Sequence, residues 1–249
     1  MAAGNGGNVQ MSHRGEIMGP GMIWTQFILF ATAILVTFCG AAMAAHAEVM
    51  EDNREIVLLA FGDSLMAGYQ IPLDKAFPAQ LQAALREKGY KARVINSGVS
   101  GDTAAEGLAR LEWSLNEKVD GAIVEFGAND ALRGIDPKVT EPSLDEILRV
   151  LKNKHIEVLF AGMEAPRNWG KDYDEAFRAM YPRLAAKYDA LLYPFFLKDV
   201  ATVRSLNIAD GLHPTSEGVG IVVRNILPDV ERLIARIYEN RTLTKANNN

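Results

Sequence analysis

The sequence predicts an α/β domain in which helices cover both faces of a parallel β-sheet. Between residues 55 and 237, short apolar runs alternate with amphipathic stretches that have helical spacing. This alternation indicates parallel strands joined by helical crossovers, and the right-handedness of such crossovers makes the domain a doubly wound, three-layer α/β/α fold. The chain has 249 residues, of which 49% are hydrophobic, and is long enough for one full core.

Each predicted strand is a short apolar run, and each predicted helix has apolar residues three and four positions apart. The strands are predicted at residues 56–61, 92–96, 121–126, 156–161 and 190–193. The helices are predicted at residues 77–88, 102–116, 143–154, 173–187 and 215–238. Gly89 is a C-cap signal for the first helix, Asp102 is the expected N-cap of the second, and Pro228 predicts a kink or break in the last.

The first 47 residues have the composition of a secretory signal peptide. A weakly positive lead with His13 and Arg14 comes first, residues 27–40 are almost wholly apolar, and small residues then continue to Ala47. This pattern indicates export with cleavage, so we expect residues 1–47 to be removed and residues 48–249 to form one domain in the periplasm or outside the cell. The alternative is an uncleaved N-terminal anchor, which would then be the only membrane contact, because residues 22–39 approach spanning length.

Cleavage would leave a body without cysteine and with only two histidines, His155 and His213. Such a body can have no disulfide, cysteine-zinc site, iron–sulfur cluster or thiol nucleophile. The formal charge is −5 for the whole chain and for the body, in which 25 basic and 30 acidic residues remain. No basic field therefore favours nucleic acid or acidic lipid. The oligomeric state is left open.

Four polar segments follow predicted strands or precede the last predicted helix. They are residues 62–65 (GDSL), 96–101 (NSGVSG), 127–130 (GAND) and 210–214 (DGLHP). Ligands of parallel sheets bind at the carboxyl ends of the strands, so these segments are expected to meet at one edge. With these blocks in this order, residues 54–237 resemble the GDSL, or SGNH, hydrolase superfamily. Residues 163–199 are similar to its bacterial acyl-CoA thioesterase I, lysophospholipase and arylesterase branch. The resemblance implies a flavodoxin-like fold and hydrolysis of acyl esters and thioesters through an acyl-serine intermediate.

The residues themselves indicate the same chemistry. Ser64 is the candidate nucleophile, and a serine hydroxyl needs an adjacent base. His155 precedes a predicted strand and therefore belongs to the opposite edge of the sheet, which leaves His213 as the base. Asp210, three residues earlier in a turn that contains glycine, can reach the second ring nitrogen and orient the ring.

A tetrahedral oxyanion needs donors that are already in place. The family resemblance assigns this role to the amides of Ser64 and Gly98 and to the side chain of Asn129, and positions after strand ends permit it. No cofactor or metal is implied by these residues, and the expected partner is a small acyl ester or thioester.

The segment after Ser64 and the segment 163–170 are expected to form the walls of an acyl groove. The candidate substrate-binding residues are Leu65, Met66, Ile71, Leu73 and Trp169. Trp169 could equally belong to the core. One alternative is a carbohydrate acetylesterase on the same fold, but such sites usually have aromatic platforms and many polar loop residues. The other is a non-catalytic binding protein, against which the intact nucleophile, base and donors argue.

Overall fold

The apolar runs pair into one parallel sheet in the computed structural model, which describes residues 54–247 together with Met1. In chain order, the strands are β1 (Ile56–Gly62), β2 (Ala92–Gly98), β3 (Gly121–Glu125), β4 (Glu157–Ala161) and β5 (Leu191–Tyr193). Their order across the sheet is β2-β1-β3-β4-β5. This is the flavodoxin-like order, so the predicted fold class is confirmed.

The strands end together, which is the feature of the sheet that positions the polar segments. Gly62 at the end of β1 pairs with Gly98 of β2 on one side and with Glu125 of β3 on the other. Glu125 in turn pairs with Ala161 of β4. The loops after these strands therefore start from one edge of the sheet, where a ligand of a doubly wound fold binds.

Seven helices lie in the described part of the chain, and the longer ones form the two outer layers. They are α1 (Ser64–Ala67), α2 (Phe77–Glu87), α3 (Ala104–Ser114), α4 (Ala128–Leu132), α5 (Pro137–Asn153), α6 (Lys171–Tyr188) and α7 (Ser216–Asn247). Helix α2 packs beside α7, whereas α5 packs between α3 and α6. The sheet is buried between these two groups, and all seven residues of β1 are buried or nearly so. Within residues 54–247, no helix is long and apolar enough to cross a membrane.

Two helix starts differ from the sequence-based expectation. Helix α3 begins at Ala104, and its N-cap is Thr103, which forms a capping box with Glu106. Asp102 is therefore not the cap, and its carboxylate instead accepts a 2.6 Å hydrogen bond from Arg110. Helix α5 begins at Pro137, six residues before the predicted start, because proline is favoured in the first turn and Pro142 is accommodated inside the helix.

The final helix is longer than predicted. Helix α7 continues to Asn247 as one element with Pro228 inside it, so the alternative of a break at Pro228 is wrong. The predicted signal segment, residues 1–47, lies outside the described residues, as do residues 48–53 at the start of the predicted domain. The cleavage and the domain boundary therefore stay predictions.

Candidate active site

The predicted nucleophile lies in a turn that is packed tightly against the ends of two strands. Ser64 is the first residue of α1, and the Asp63 side chain caps this one-turn helix by accepting a 3.0 Å hydrogen bond from the Leu65 amide. A Cβ at Gly62 would lie 2.5 Å from the Glu125 carbonyl oxygen, and one at Gly98 would lie 2.2 Å from the Ala67 nitrogen. Glycine is thus required at both positions, at Gly98 for α1 to pack this closely on β2 and at Gly62 for the end of β1 to lie this close to Glu125 of β3.

The three residues predicted to act as nucleophile, base and orienting acid form one hydrogen-bonded chain. The Ser64 hydroxyl oxygen lies 2.8 Å from His213 Nε2, and His213 Nδ1 lies 2.7 Å from Asp210 Oδ2. Asp210 Oδ1 also accepts hydrogen bonds from the amides of Leu212 and His213, at 2.8 and 3.0 Å. Ser64 as a whole residue is 7% exposed and is therefore buried.

The turn around Asp210 keeps this carboxylate ionised. Partial burial opposes ionisation, but the Leu212 and His213 amides and the His213 ring outweigh it and lower the pKa of Asp210. A charged Asp210 accepts a hydrogen bond from the Nδ1–H of His213, which leaves the lone pair of the other ring nitrogen, Nε2, directed at the Ser64 hydroxyl.

The three predicted oxyanion donors are in different states. The Ser64 amide donates to no acceptor in the described part of the chain. Asn129, in the first turn of α4, uses both hydrogens of its Nδ2, one for Asp63 Oδ2 and one for the Asp102 carbonyl, each at 3.0 Å. The Gly98 amide donates to its near neighbour Asn96 at 3.0 Å. The Ser64 amide is therefore available to an oxyanion, whereas Gly98 and Asn129 would each have to give up a present hydrogen bond to donate to one.

A pair of buried carboxyl groups lies beneath the nucleophile. Asp63 and Glu125 are both fully buried, and the Asp63 amide lies 3.4 Å from Glu125 Oε2. Burial raises the pKa of Asp63 to about 6, and burial together with the Asp63 charge raises the pKa of Glu125 well above its ordinary value. Above pH 6, the favoured state is therefore an ionised Asp63, which holds Asn129, beside a protonated Glu125. Sequence reasoning missed Glu125, whose signal was an acid at the end of a buried strand.

The candidate substrate-binding residues differ in how much surface they expose. Met66, in the helical turn α1, is fully buried and offers no exposed surface in this structure, so its place in a substrate wall stays a prediction. Leu65 is 7% exposed and has little surface to offer. Ile71 is half-buried and Leu73 is 76% exposed, so these two retain apolar surface.

Trp169 lies at the surface and not in the core. Its ring is 43% exposed, its Nε1 donates a 2.7 Å hydrogen bond to the Ala131 carbonyl, and a Cβ at Gly134 would lie 2.7 Å from the ring. The ring is thereby fixed against α4, the helix that carries Asn129. This position permits a wall role for Trp169, and it also makes the ring a support for α4.

Sequence reasoning missed one side chain that contacts the base. The ring of Tyr69 lies with its centroid 4.5 Å from that of His213. The second histidine of the body, His155, is in the turn that precedes β4 and is therefore at the opposite edge of the sheet, as expected.

Comparison with known proteins gives consistent matches over most of the chain. Residues 60–221 match the model of the GDSL-like Lipase/Acylhydrolase family. An arylesterase of Vibrio mimicus is 39% identical over 186 residues, which are 74% of this chain and 89% of that protein. The thioesterase 1/protease 1/lysophospholipase L1 of Escherichia coli strain K12 is 40% identical over 161 residues, 64% of this chain and 76% of that protein.

Solved structures give the same picture. The crystal structure of AlinE4, an SGNH-hydrolase family esterase, matches with a TM-score of 0.62 and 45% sequence identity. The match covers 72% of this chain and 97% of the AlinE4 chain. The crystal structure of TesA matches with a TM-score of 0.68 and 35% sequence identity, over 72% of this chain and 99% of the TesA chain. These matches confirm the resemblance that the four sequence blocks indicated.

Proposed function

The chain belongs to the GDSL-like lipase/acylhydrolase family, and we propose that it hydrolyses acyl esters and thioesters with Ser64 as nucleophile. The observation that carries the proposal is the hydrogen-bonded chain from Ser64 through His213 to Asp210, at 2.8 and 2.7 Å. A hydroxyl, a neutral imidazole and an ionised carboxylate in this order make the hydroxyl a usable nucleophile near neutral pH.

In the first half of the reaction, the Ser64 hydroxyl oxygen attacks the acyl carbon and its proton passes to His213 Nε2. The resulting imidazolium is stabilised by the ionised Asp210, which accepts a hydrogen bond from its Nδ1–H. The tetrahedral intermediate collapses with cleavage of the bond to the alcohol or thiol, and His213 returns the proton to this leaving group. The acyl group is then esterified to Ser64.

In the second half, a water molecule replaces the leaving group. His213 takes one proton from the water as its oxygen attacks the acyl carbon, and the same proton returns to the Ser64 oxygen when the acyl bond breaks. The products are a carboxylic acid and the free enzyme. His213 therefore acts as base and then as acid in each half of the reaction: it moves a proton from Ser64 to the leaving group in the first half and from water to Ser64 in the second.

The three oxyanion donors differ in how readily they can bind the negative charge of the tetrahedral intermediate. The Ser64 amide has no other acceptor in the described residues and can bind the developing charge at once. Asn129 can add a second bond when its hydrogen bond to the Asp102 carbonyl is exchanged for one to the oxyanion, because its bond to Asp63 keeps the amide oriented. Gly98 can add a third in the same way.

We further propose that the preferred acyl chains are of medium or long length. The support is the exposed apolar surface of Leu73 and Trp169 and the half-buried Ile71, all on loops that follow strands at the edge where Ser64 lies. The named relatives include an arylesterase and a thioesterase/lysophospholipase, whose substrates by name contain acyl groups. Export to the periplasm or the exterior, from the composition of residues 1–47, is part of the same proposal.

The test of catalysis uses p-nitrophenyl esters from acetate to palmitate beside the matching acyl-CoA thioesters, and a fluorophosphonate probe that labels activated serines. The natural sequence should hydrolyse esters and react with the probe. Ser64→Ala should lose about 10³-fold or more in kcat/KM and all labelling, because the covalent step is removed. Ser114→Ala is the matched control, since Ser114 is also 7% exposed but lies at the far end of α3. Labelling of Ser64→Ala equal to that of the control would refute the assignment of the nucleophile.

A further inference from the structure

An aromatic ring covers one face of His213. The centroids of the Tyr69 and His213 rings are 4.5 Å apart, and the ring planes are inclined by 39°. Both ring nitrogens of His213 are already bonded, one to Ser64 and one to Asp210. The faces of the ring are therefore the parts left for a further contact, and Tyr69 occupies one of them.

The backbone ties Tyr69 to the nucleophile. The Tyr69 amide donates a 3.2 Å hydrogen bond to the Ser64 carbonyl at the end of the one-turn helix α1. Gly68 has φ +83°, and a Cβ there would lie 2.5 Å from the Ala76 Cβ, so the turn that directs the next residue requires glycine. Gln70 donates a 3.0 Å hydrogen bond to the Tyr69 hydroxyl oxygen. The ring therefore has a fixed place relative to Ser64, although His213 comes from a distant part of the chain.

We propose that Tyr69 is a positioning residue that holds the His213 ring in register with Ser64 and stabilises the imidazolium formed during acyl transfer. The inference rests on the proposed function, because only a reaction that protonates His213 produces a cation beside the ring. An aromatic face is negative and attracts a cation within about 6 Å of its centroid. The same contact restricts rotation of the imidazole out of line with the Ser64 hydroxyl.

The charged groups that face His213 do not make this contact redundant. Asp210 bonds to Nδ1 in the plane of the ring, and Asp63 acts on the ring electrostatically from the side of α1. The Tyr69 ring instead packs against a face of the imidazole and opposes rotation of the imidazole in that direction, a contact that the two carboxylates do not make.

Two other roles for Tyr69 predict different behaviour. A hydroxyl that binds substrate or the oxyanion would be lost on substitution by phenylalanine. An apolar wall for the acyl chain would be retained by leucine and would matter little for an acetyl ester. The aromatic-face proposal requires the ring, not the hydroxyl, and requires it even for the shortest ester.

The experiment measures kcat and KM with p-nitrophenyl acetate for the full chain and for Tyr69→Phe, Tyr69→Leu and Tyr69→Ala. Trp113→Ala is the control, because Trp113 is 75% exposed at the end of α3 and far from Ser64 in the fold. We expect the leucine and alanine variants to lose on the order of tenfold in kcat with KM changed by less than about twofold. The phenylalanine variant should retain at least about half of kcat, and the control should be unchanged. Thermal unfolding of each variant shows that its fold is retained.

Three results would overturn the inference: a phenylalanine variant as slow as the leucine variant, a leucine variant as fast as the phenylalanine variant, or a loss that appears only in KM. Ser64→Ala, measured in the same series, separates this failure from failure of the proposed function. Should Ser64→Ala stay active, the serine mechanism itself is wrong. Should it be inactive while the Tyr69 variants depart from the expected pattern, only the role of Tyr69 is wrong.

Discussion

Replacing Asp63 by asparagine should make the protein more stable at alkaline pH and less active. The Asp63 carboxylate is fully buried, and burial raises its pKa from the ordinary 3.8 to about 6. A group with a raised pKa in the folded state binds its proton more tightly there than in the unfolded chain. Its contribution to stability is therefore greatest below pH 3.8 and declines as the pH rises through 6.

The size of the effect follows from the two pKa values. The difference between 3.8 and about 6 corresponds to about 3 kcal/mol of stability lost on ionisation, complete above pH 7. Asparagine cannot ionise and does not incur this loss. Asparagine at position 63 would, however, present an NH2 group to Asn129 where a carboxylate oxygen now accepts a 3.0 Å hydrogen bond. Loss of this hydrogen bond costs about 1 kcal/mol. The net gain for Asp63→Asn at pH 8 is then about 2 kcal/mol, and Asn129 loses the bond that orients it.

Urea unfolding of the natural chain and of Asp63→Asn at pH 4 and pH 8 measures the first part. The free energy of unfolding should fall from pH 4 to pH 8 by about 2 kcal/mol more in the natural chain than in the variant. The kcat of the variant toward p-nitrophenyl butyrate should fall at least about tenfold, because the oxyanion donor is no longer held. Equal pH dependence of stability in the two proteins would refute the raised pKa, and unchanged kcat would refute the orienting role of Asp63.

Further predictions concern the other parts of the site. Asn129→Ala should lower kcat by about 10²- to 10³-fold with little change in KM, and a change in KM alone would mean that Asn129 only binds substrate. The value of kcat/KM should rise roughly tenfold or more from acetate to octanoate, since each buried methylene contributes up to about 0.8 kcal/mol; flat or falling values exclude an acyl groove. Trp169→Ala should reduce kcat/KM for octanoate and not for acetate; an equal loss for both esters would assign the ring to support of α4. Mass spectrometry of the exported protein should find a new N-terminus near Ala45 or Glu48, whereas intact residues 1–47 in a membrane pellet would favour the anchor.

The sheet could be predicted from the sequence, and so could the proximity of Ser64, Asp210 and His213, for a simple physical reason. Buried parallel strands are continuous apolar runs, and the polar segments after them can meet only at one edge. The burial of Met66 was not expected, because the segment after Ser64 was predicted to form the wall of a groove, whereas a single helical turn directs that side chain into the core. The start of α5 was missed because the predicted helix began only at residue 143, although a proline such as Pro137 is favoured in the first turn of a helix and Pro142 is accommodated inside it.

The details that remained out of reach depend on contacts across the fold. The bonds of Asn129 to Asp63 and to the Asp102 carbonyl join segments that are 66 and 27 positions apart, so no local pattern shows them. The contact of Tyr69 with His213 is of the same kind. Glu125 had a local signal, an acid at the end of a buried strand, but its pairing with Asp63 needs the register of β1 and β3.

The hydroxyl of Ser64 and its base are separated by 149 positions along the chain, one in the first turn after β1 and the other in the last turn before α7. Nearly the whole domain must therefore be folded before Ser64 has its base, and a chain still emerging from the ribosome has no activated nucleophile. Hydrolytic activity is for this reason a direct measure of how much of the protein has folded completely. Time-resolved activity during refolding should appear with the slowest structural phase, since contacts of large sequence separation tend to form late.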